Sequence, residues 1–384
     1  MSGVSFDPTT LLGQASETAG LSDFGPDDFR EPLSVLCKTL EQGPLTEKGR
    51  KRNHRRLVGL LATRLRVQKA FLEHPEIRQR ELPKPMVLTG LPRSGTSALF
   101  NLLAADPATR PLLLWETQFP DPAEDLAPGD PDPRHLAIKK YYEDAQEKNP
   151  EFTKMHFASA DTPEECVLLH AYSLNGVHVG WECMLEPYTS WYREQDLQPM
   201  YAYYRDLLRL LDWQRPGDRW LLKAPAHMWA IEALIENFPD VSIVWSHRDP
   251  LLCTASICSM THTLLKMHAE MEAEQLGPIV MDFYATSLER GLAARDRSDP
   301  SRFVDVTHDE FVADSLHVVE RIYEHFDMPV EASARSAFEA HTDANPKGKH
   351  GKHKYALEEY GLDAEAVRRR FAPYIERFGI ELVG

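Results

Sequence analysis

Apolar residues fall in short runs along this chain, and longer stretches of helical spacing separate the runs. Met86-Val-Leu88 is the first run, and Arg219-Trp-Leu-Leu-Lys223, Val241-Ser-Ile-Val-Trp-Ser246 and Arg302-Phe-Val-Asp-Val306 are later ones. Each is short enough for a strand buried on both faces. Arg110-Pro-Leu-Leu-Leu-Trp-Glu116 is a further strand candidate, ending in a carboxylate. Between them, apolar positions recur at helical spacing. Examples are Leu33, Leu36 and Leu40, then Leu57, Leu60, Leu61 and Leu65, within a helical region from Glu31 to about His74. Strands alternating with helices predict an α/β fold of three layers, with a central parallel sheet of four or five strands.

The remaining boundaries follow from caps and breakers. Residues 1–30 are polar and rich in Gly, Pro and Asp, which predicts an arm, so 1–80 reads as arm plus helices packed on the core and 81–384 as the main domain. Pro120 to Pro133 carries five prolines and five acidic residues, a loop composition, and opens a helical insertion at about 118–215. Asp161-Thr-Pro-Glu-Glu165 predicts a helix start, with Asp161 or Thr162 as N-cap and Pro163 in the first turn. Helices are expected over His227–Phe238, from Pro250, and from about Ser259 to Arg295. The aromatics from Trp181 to Tyr204 read as helix-packing core, part of which could wall a pocket.

Charge narrows the class of partner. The formal net charge of -16 argues against general binding to nucleic acid or acidic membranes, so an anion site must be a local basic island. The run Lys48-Gly-Arg-Lys-Arg-Asn-His-Arg-Arg56 is one such island. A solvated helix face is its ordinary explanation, and an acidic acceptor or partner the other. Five cysteines at 37, 166, 183, 253 and 258 show no metal or redox spacing. With no signal-like start and no apolar run of spanning length, a cytoplasmic chain without membrane insertion is expected. Homo-oligomerisation is left open.

The chemistry begins at the end of the first strand. Gly90-Leu-Pro-Arg-Ser-Gly95-Thr-Ser97 joins it to the helix-forming Ala98-Leu-Phe-Asn-Leu-Leu-Ala-Ala105. Strand, glycine-bracketed loop and helix form a phosphate cradle, in which N–H groups and the helix N-terminus face an anion. The spacing is that of a P-loop, but Thr96 stands where a nucleoside triphosphate site needs lysine, and the cation has moved to Arg93. His247-Arg-Asp-Pro250 follows another strand and places Arg248 where an open α/β sheet binds ligands, with Ser256 eight residues on. It is not a kinase catalytic loop, because Thr254 stands where that loop requires Asn. Asn345-Pro-Lys-Gly-Lys-His-Gly-Lys-His-Lys-Tyr355 is the densest cationic run, and its two glycines permit close backbone approach to an anion.

In these three motifs the chain resembles the sulfotransferases that use 3′-phosphoadenosine-5′-phosphosulfate (PAPS), especially the bacterial family related to tyrosylprotein and polyketide-tailoring enzymes. The resemblance spans roughly residues 85–355. It implies that Arg93, Ser94, Gly95, Thr96 and Ser97 hold the 5′-phosphosulfate, and Arg248 with Ser256 the 3′-phosphate. Lys347 and Gly348 open a segment similar to the C-terminal cofactor loop (345–355) of cytosolic relatives, although Pro346 replaces that loop's leading Arg. A small-molecule acceptor hydroxyl is implied, with no metal, since Arg, Lys and N–H groups can neutralise the transferring group. Two residues compete as the base. Glu116 stands in a Glu-Thr context like that of tyrosylprotein enzymes, and His156 precedes a Pro-Glu-Glu-Cys segment as in polyketide-tailoring ones. Lys223 could stabilise the sulfuryl group, and His308, after the last strand, falls near an adenine-contacting position. His227 reads better as part of a helix-start turn. The rivals are a P-loop kinase or NTPase and a non-catalytic nucleotide-binding protein.

Overall fold

A computed structural model describes residues 4–124, 126–127, 129–148, 159–177, 184–345 and 357–382. Five strands form one parallel sheet: β1 Met86–Gly90, β2 Thr109–Pro111, β3 Arg219–Lys223, β4 Ser242–His247 and β5 Phe303–Thr307. Their spatial order is β2-β3-β1-β4-β5. After β1 the chain moves to one side for β2 and β3, then crosses β1 to lay down β4 and β5. The switch point of the sheet therefore lies at the carboxyl end of β1, where a ligand crevice opens.

Both faces of the sheet are covered, which explains the nearly unbroken apolar character of its strands. Period-2 alternation still sorts their side chains. Val87, Trp220, Leu222, Ile243 and Trp245 join the larger core, which includes the N-terminal helices. Met86, Leu88, Leu221, Val244 and Val306 face the opposite layer, against Leu99, Phe100 and Leu103 of the helix Thr96–Leu103 and against Val319 and Ile322.

Several boundaries differ from the sequence expectation, each for a local reason. The polar arm contains a helix, Pro8–Ala19, capped by Asp7 and anchored by fully buried Leu11 and Ala15. The region from Glu31 to His74 is two helices, Arg30–Gln42 and Glu47–Glu73, parted at Gly43-Pro44. The insertion between β2 and β3 does hold helices, including Pro133–Lys148 and Gln198–Gln214. Tyr188, Tyr192, Tyr201 and Tyr204 are core residues there, while Trp181 and Cys183 lie outside the described residues. The stretch from Pro250 to Arg295 divides into Pro250–Leu265 and Ala273–Asp296.

The second strand is shorter than expected. It ends at Pro111, and the apolar run continues into the short helix Leu114–Gln118, so Glu116 is helical rather than at a strand end. Asp161-Thr-Pro-Glu-Glu165 starts no helix; the next one is Val167–His170. Past Pro111 the chain splays away from β3, and residues 160–166 fill the gap. Leu114 N–H donates to Thr162 O (3.0 Å), Glu164 N–H to Leu112 O (2.8 Å) and Cys166 N–H to Lys223 O (3.0 Å). Backbone groups left open by the diverging strands thus find partners, and the helix yields to that demand.

Candidate functional site

The loop after β1 is shaped by two glycines and one strained arginine. Gly90 has φ +137°, and a Cβ there would lie 2.3 Å from Ser246 O, so the carboxyl ends of β1 and β4 touch through bare backbone. Gly95 has φ +97° and forms the N-cap of Thr96–Leu103. Arg93 takes φ 70°, a left-handed conformation that an L side chain occupies at a cost of about 1–2 kcal/mol. The first N–H groups of the following helix, on Thr96 and Ser97, have no intrahelical partner by geometry, and both residues line the cavity described below.

The motif residues that the sequence held apart converge on this loop. Arg93 Nε donates to Ser256 Oγ (3.0 Å), and Arg248 Nη1 donates to the Arg93 carbonyl (2.9 Å). Asp249 caps the Pro250–Leu265 helix through Leu251 N–H, which fixes Ser256 in its second turn. On the other side of β1, Lys223 ends β3 with 5% exposure; its Nζ donates to Ser97 Oγ (3.2 Å) and to Glu165 Oε1 (2.6 Å). Ser94 is buried, and its carbonyl accepts from Ser246 Oγ. His308 packs against Gly95 with Cδ2 3.1 Å from that residue's ideal Cβ position, and burial lowers its pKa. Two arginines, a lysine, hydroxyls and helix N–H groups therefore surround one small volume. Such a donor set suits a sulfated or phosphorylated ester.

The cradle opens into a cavity of about 520 Å³. Arg93, Gly95 to Ala98 and Arg248 form one wall; Glu164 and Glu165 form another; Val167, Val177, Met184, Trp229, Met260, Leu264 and Tyr284 make the rest mainly apolar. Glu165 is the functional candidate that sequence reasoning passed over. Its signal was present, two adjacent carboxylates before a buried cysteine, but the cap pattern concealed it.

Glu116 is elsewhere. It is 1% exposed, accepts from Leu113 N–H, and is gripped by Arg110 (2.8 Å) and Arg215 (3.0 Å); it does not line the cavity. Arg110 is itself buried over the Trp220 ring, and burial brings its pKa down to about 10. Glu116→Gln is expected to destabilise the fold by about 3–5 kcal/mol, because Arg110 would stay buried without its counter-charge. Urea unfolding measures this; a fully stable but inactive variant would instead return Glu116 to the chemistry. His227 is fully buried, bonded to Tyr201 Oη (2.7 Å), and burial lowers its pKa to about 3; it too is absent from the cavity wall. His156, Lys347 and Gly348 lie outside the described residues. Among the described residues, no three His, Cys, Asp or Glu side chains converge as metal ligands.

Comparison with known proteins gives a consistent result. A family described as "Sulfotransferase family" matches residues 85–332. The crystal structure of sulfotransferase STF9 from Mycobacterium avium superposes with a TM-score of 0.88 at 31% identity, covering 98% of this chain and 97% of that one. Sulfotransferase STF1 from Mycobacterium tuberculosis H37Rv gives 0.85 at 33% identity, covering 97% and 100%. A curated relative, the omega-hydroxy-beta-dihydromenaquinone-9 sulfotransferase Stf3 of Mycobacterium bovis, is 24% identical over 110 residues, which is 28% of this chain and 28% of that protein.

Proposed function

This chain belongs to the sulfotransferase family, and from that premise we propose that it moves a sulfuryl group from PAPS to a hydroxyl of a small or medium-sized, partly apolar acceptor. The observation that carries the proposal is the meeting of Arg93 with Ser256 and Arg248 at the switch point, on the rim of a largely apolar cavity. PAPS is the usual donor of this family, and its two anionic ends match two cationic sites. Arg93 with Gly95 to Ser97 would take the 5′-phosphosulfate, and Arg248 with Ser256 the 3′-phosphate. Lys347 and Gly348 are proposed to close over the latter.

The reaction is an in-line displacement. The acceptor oxygen bonds to sulfur, the bond from sulfur to the 5′-phosphate oxygen breaks, and adenosine 3′,5′-bisphosphate leaves. Charge on the transferring group is the main barrier, so fixed cations do most of the work. We assign Arg93 to the bridging and terminal oxygens of the phosphosulfate, and Lys223 to the sulfuryl group or the leaving phosphate. The hydroxyl proton needs an acceptor, and we assign that role to Glu165, the cavity-facing carboxylate held by Lys223. His156 is the alternative base, and the geometry of Glu116 favours a structural role. The omega-hydroxy-beta-dihydromenaquinone-9 in the name of the Stf3 relative fits the class of acceptor that such a lining would accept.

Calorimetric titration tests the donor assignment. Adenosine 3′,5′-bisphosphate is expected to bind without metal, and ATP with magnesium to bind far more weakly. Arg248→Ala should weaken adenosine 3′,5′-bisphosphate by about ten- to a hundred-fold, the value of a charged hydrogen-bonding partner. It should leave adenosine 5′-phosphosulfate, which lacks the 3′-phosphate, unchanged. Equal losses for the two ligands would refute the split between the sites.

A further inference from the structure

Two large apolar side chains of the cavity lining, and a third a few residues beyond them in the chain, are exposed. Met260 is 41% exposed and Leu264 42%, both on the last turns of Pro250–Leu265, and Met267 is 41% exposed just beyond that helix. Met260 and Leu264 also line the cavity, so two of these solvent-exposed apolar side chains belong to its wall.

A basic stripe borders these side chains. Lys48, Lys51, Arg52 and Arg55 are exposed and share one face of the Glu47–Glu73 helix, whose opposite face buries Gly49, Asn53 and Leu57. That buried face sets the helix against the turn carrying Lys266 and Met267. Thr46 N–H donates to His268 O (3.0 Å), Asn53 Nδ2 lies 3.2 Å from the His268 ring, and a Cβ on Gly49 would lie 1.8 Å from His268 O. Arg52 Nη1 reaches Met267 Sδ at 4.0 Å, which joins the two patches, and Lys266 adds another exposed cation. Lys51 pairs with Glu47. Among the described residues, no carboxylate lies within ion-pair distance of Lys48, Arg52, Arg55 or Lys266. Burial, with a smaller contribution from the nearby Arg52 and Arg56, lowers the pKa of His268 to about 4.

We infer that this face docks on an anionic lipid bilayer, with Met260, Leu264 and Met267 entering the interface and the basic stripe on the headgroups. Peripheral binding needs two signals, apolar contact and several cations, and both are here on one surface. The acidic remainder of a chain of net charge -16 would repel the same bilayer and so orient the contact. An acidic protein would satisfy the cations, but it gives no reason for exposed apolar side chains to belong to the cavity wall. A bilayer does, because an acceptor dissolved in it could enter the cavity without crossing water. No described helix is long and apolar enough to cross a membrane, so the contact is a surface one. That the cavity takes the acceptor rests on the function proposed above; the docking itself does not.

Co-sedimentation of the full chain with vesicles tests this. Partition is expected onto phosphatidylcholine vesicles containing phosphatidylglycerol, not onto phosphatidylcholine alone, and it should weaken as salt screens the charges. The combined variant Arg52→Glu, Arg55→Glu, Lys266→Glu should bind at least about a hundred-fold more weakly, from roughly five-fold per cation. Met267→Ser should reduce partition several-fold. All variants should keep wild-type affinity for adenosine 3′,5′-bisphosphate, which separates lost docking from lost folding. Failure of the wild type to bind that nucleotide would count against the donor assignment and leave the vesicle result standing. Absence of wild-type partition onto anionic vesicles, undiminished partition of the triple variant, or capture only by an immobilised acidic polypeptide would each overturn the inference.

Discussion

Glu165→Gln is expected to lower kcat by about 10²–10⁴-fold, the range for loss of a positioned general base. Glutamine keeps the size of the side chain and can still accept a hydrogen bond from Lys223 Nζ, now 2.6 Å from Glu165 Oε1. The loss should therefore fall on proton removal rather than on folding or donor binding. Two further readouts make the result specific. Affinity for adenosine 3′,5′-bisphosphate should be unchanged, and the acidic limb of the kcat–pH profile should vanish. A merely structural carboxylate would leave that limb in place. If Glu165→Gln turns over near the wild-type rate while His156→Ala is inactive, the proton goes to the histidine and the assignment fails.

Arg93→Ala should cost about 10²–10³-fold in kcat/KM, comparable to removing one preorganised donor at a developing charge. Arg93→Lys should restore little of this. A lysine ammonium cannot reproduce the forked donor that bonds Ser256 and still presents N–H groups to an anion. The same position permits a sharper comparison. Because Arg93 sits at φ 70°, Arg93→Gly removes backbone strain while removing the cation. It should unfold at the wild-type temperature or above it, yet be as inactive as Arg93→Ala. Full activity in Arg93→Lys would show that charge alone suffices and would sink the forked-donor account.

The sequence revealed those parts of the site that one stretch of chain encodes. The loop from Gly90 to Ser97 combines a strand end, two glycines and a helix start, all local features, and the structure reproduces it. Arg248 was singled out by the rule that ligands lie at strand carboxyl ends, and Ser256 by its spacing of eight residues from it. The parallel sheet, expected with four or five strands and found with five, followed from apolar runs set among helical periods. Glu116 was expected at a strand end and Asp161 to Glu165 at a helix start, and both expectations differ from the structure for one reason. Where β2 ends depends on how its continuation leaves β3, and that divergence arises from tertiary pairing with residues 160–166 rather than from any propensity of Leu112 to Glu116. The cap pattern at Asp161 lost to the same backbone demand. The cavity walls come from residues spread between 92 and 284, so no window of sequence contains them.

The segment that carries Glu165 has a consequence for how such an enzyme could change its target. Its position is set by main-chain bonds from Glu164 to Leu112 and from Cys166 to Lys223, not by the side chains of the cavity wall. Apart from Val167 on the same segment, the apolar wall is supplied separately, by Val177, Met184, Trp229, Met260, Leu264 and Tyr284. Selection or a designer can therefore resize the chamber while the carboxylate and the ammonium of Lys223 stay in register. Substrate range and reaction chemistry become independent variables, and a directed-evolution library would be best confined to those six wall positions.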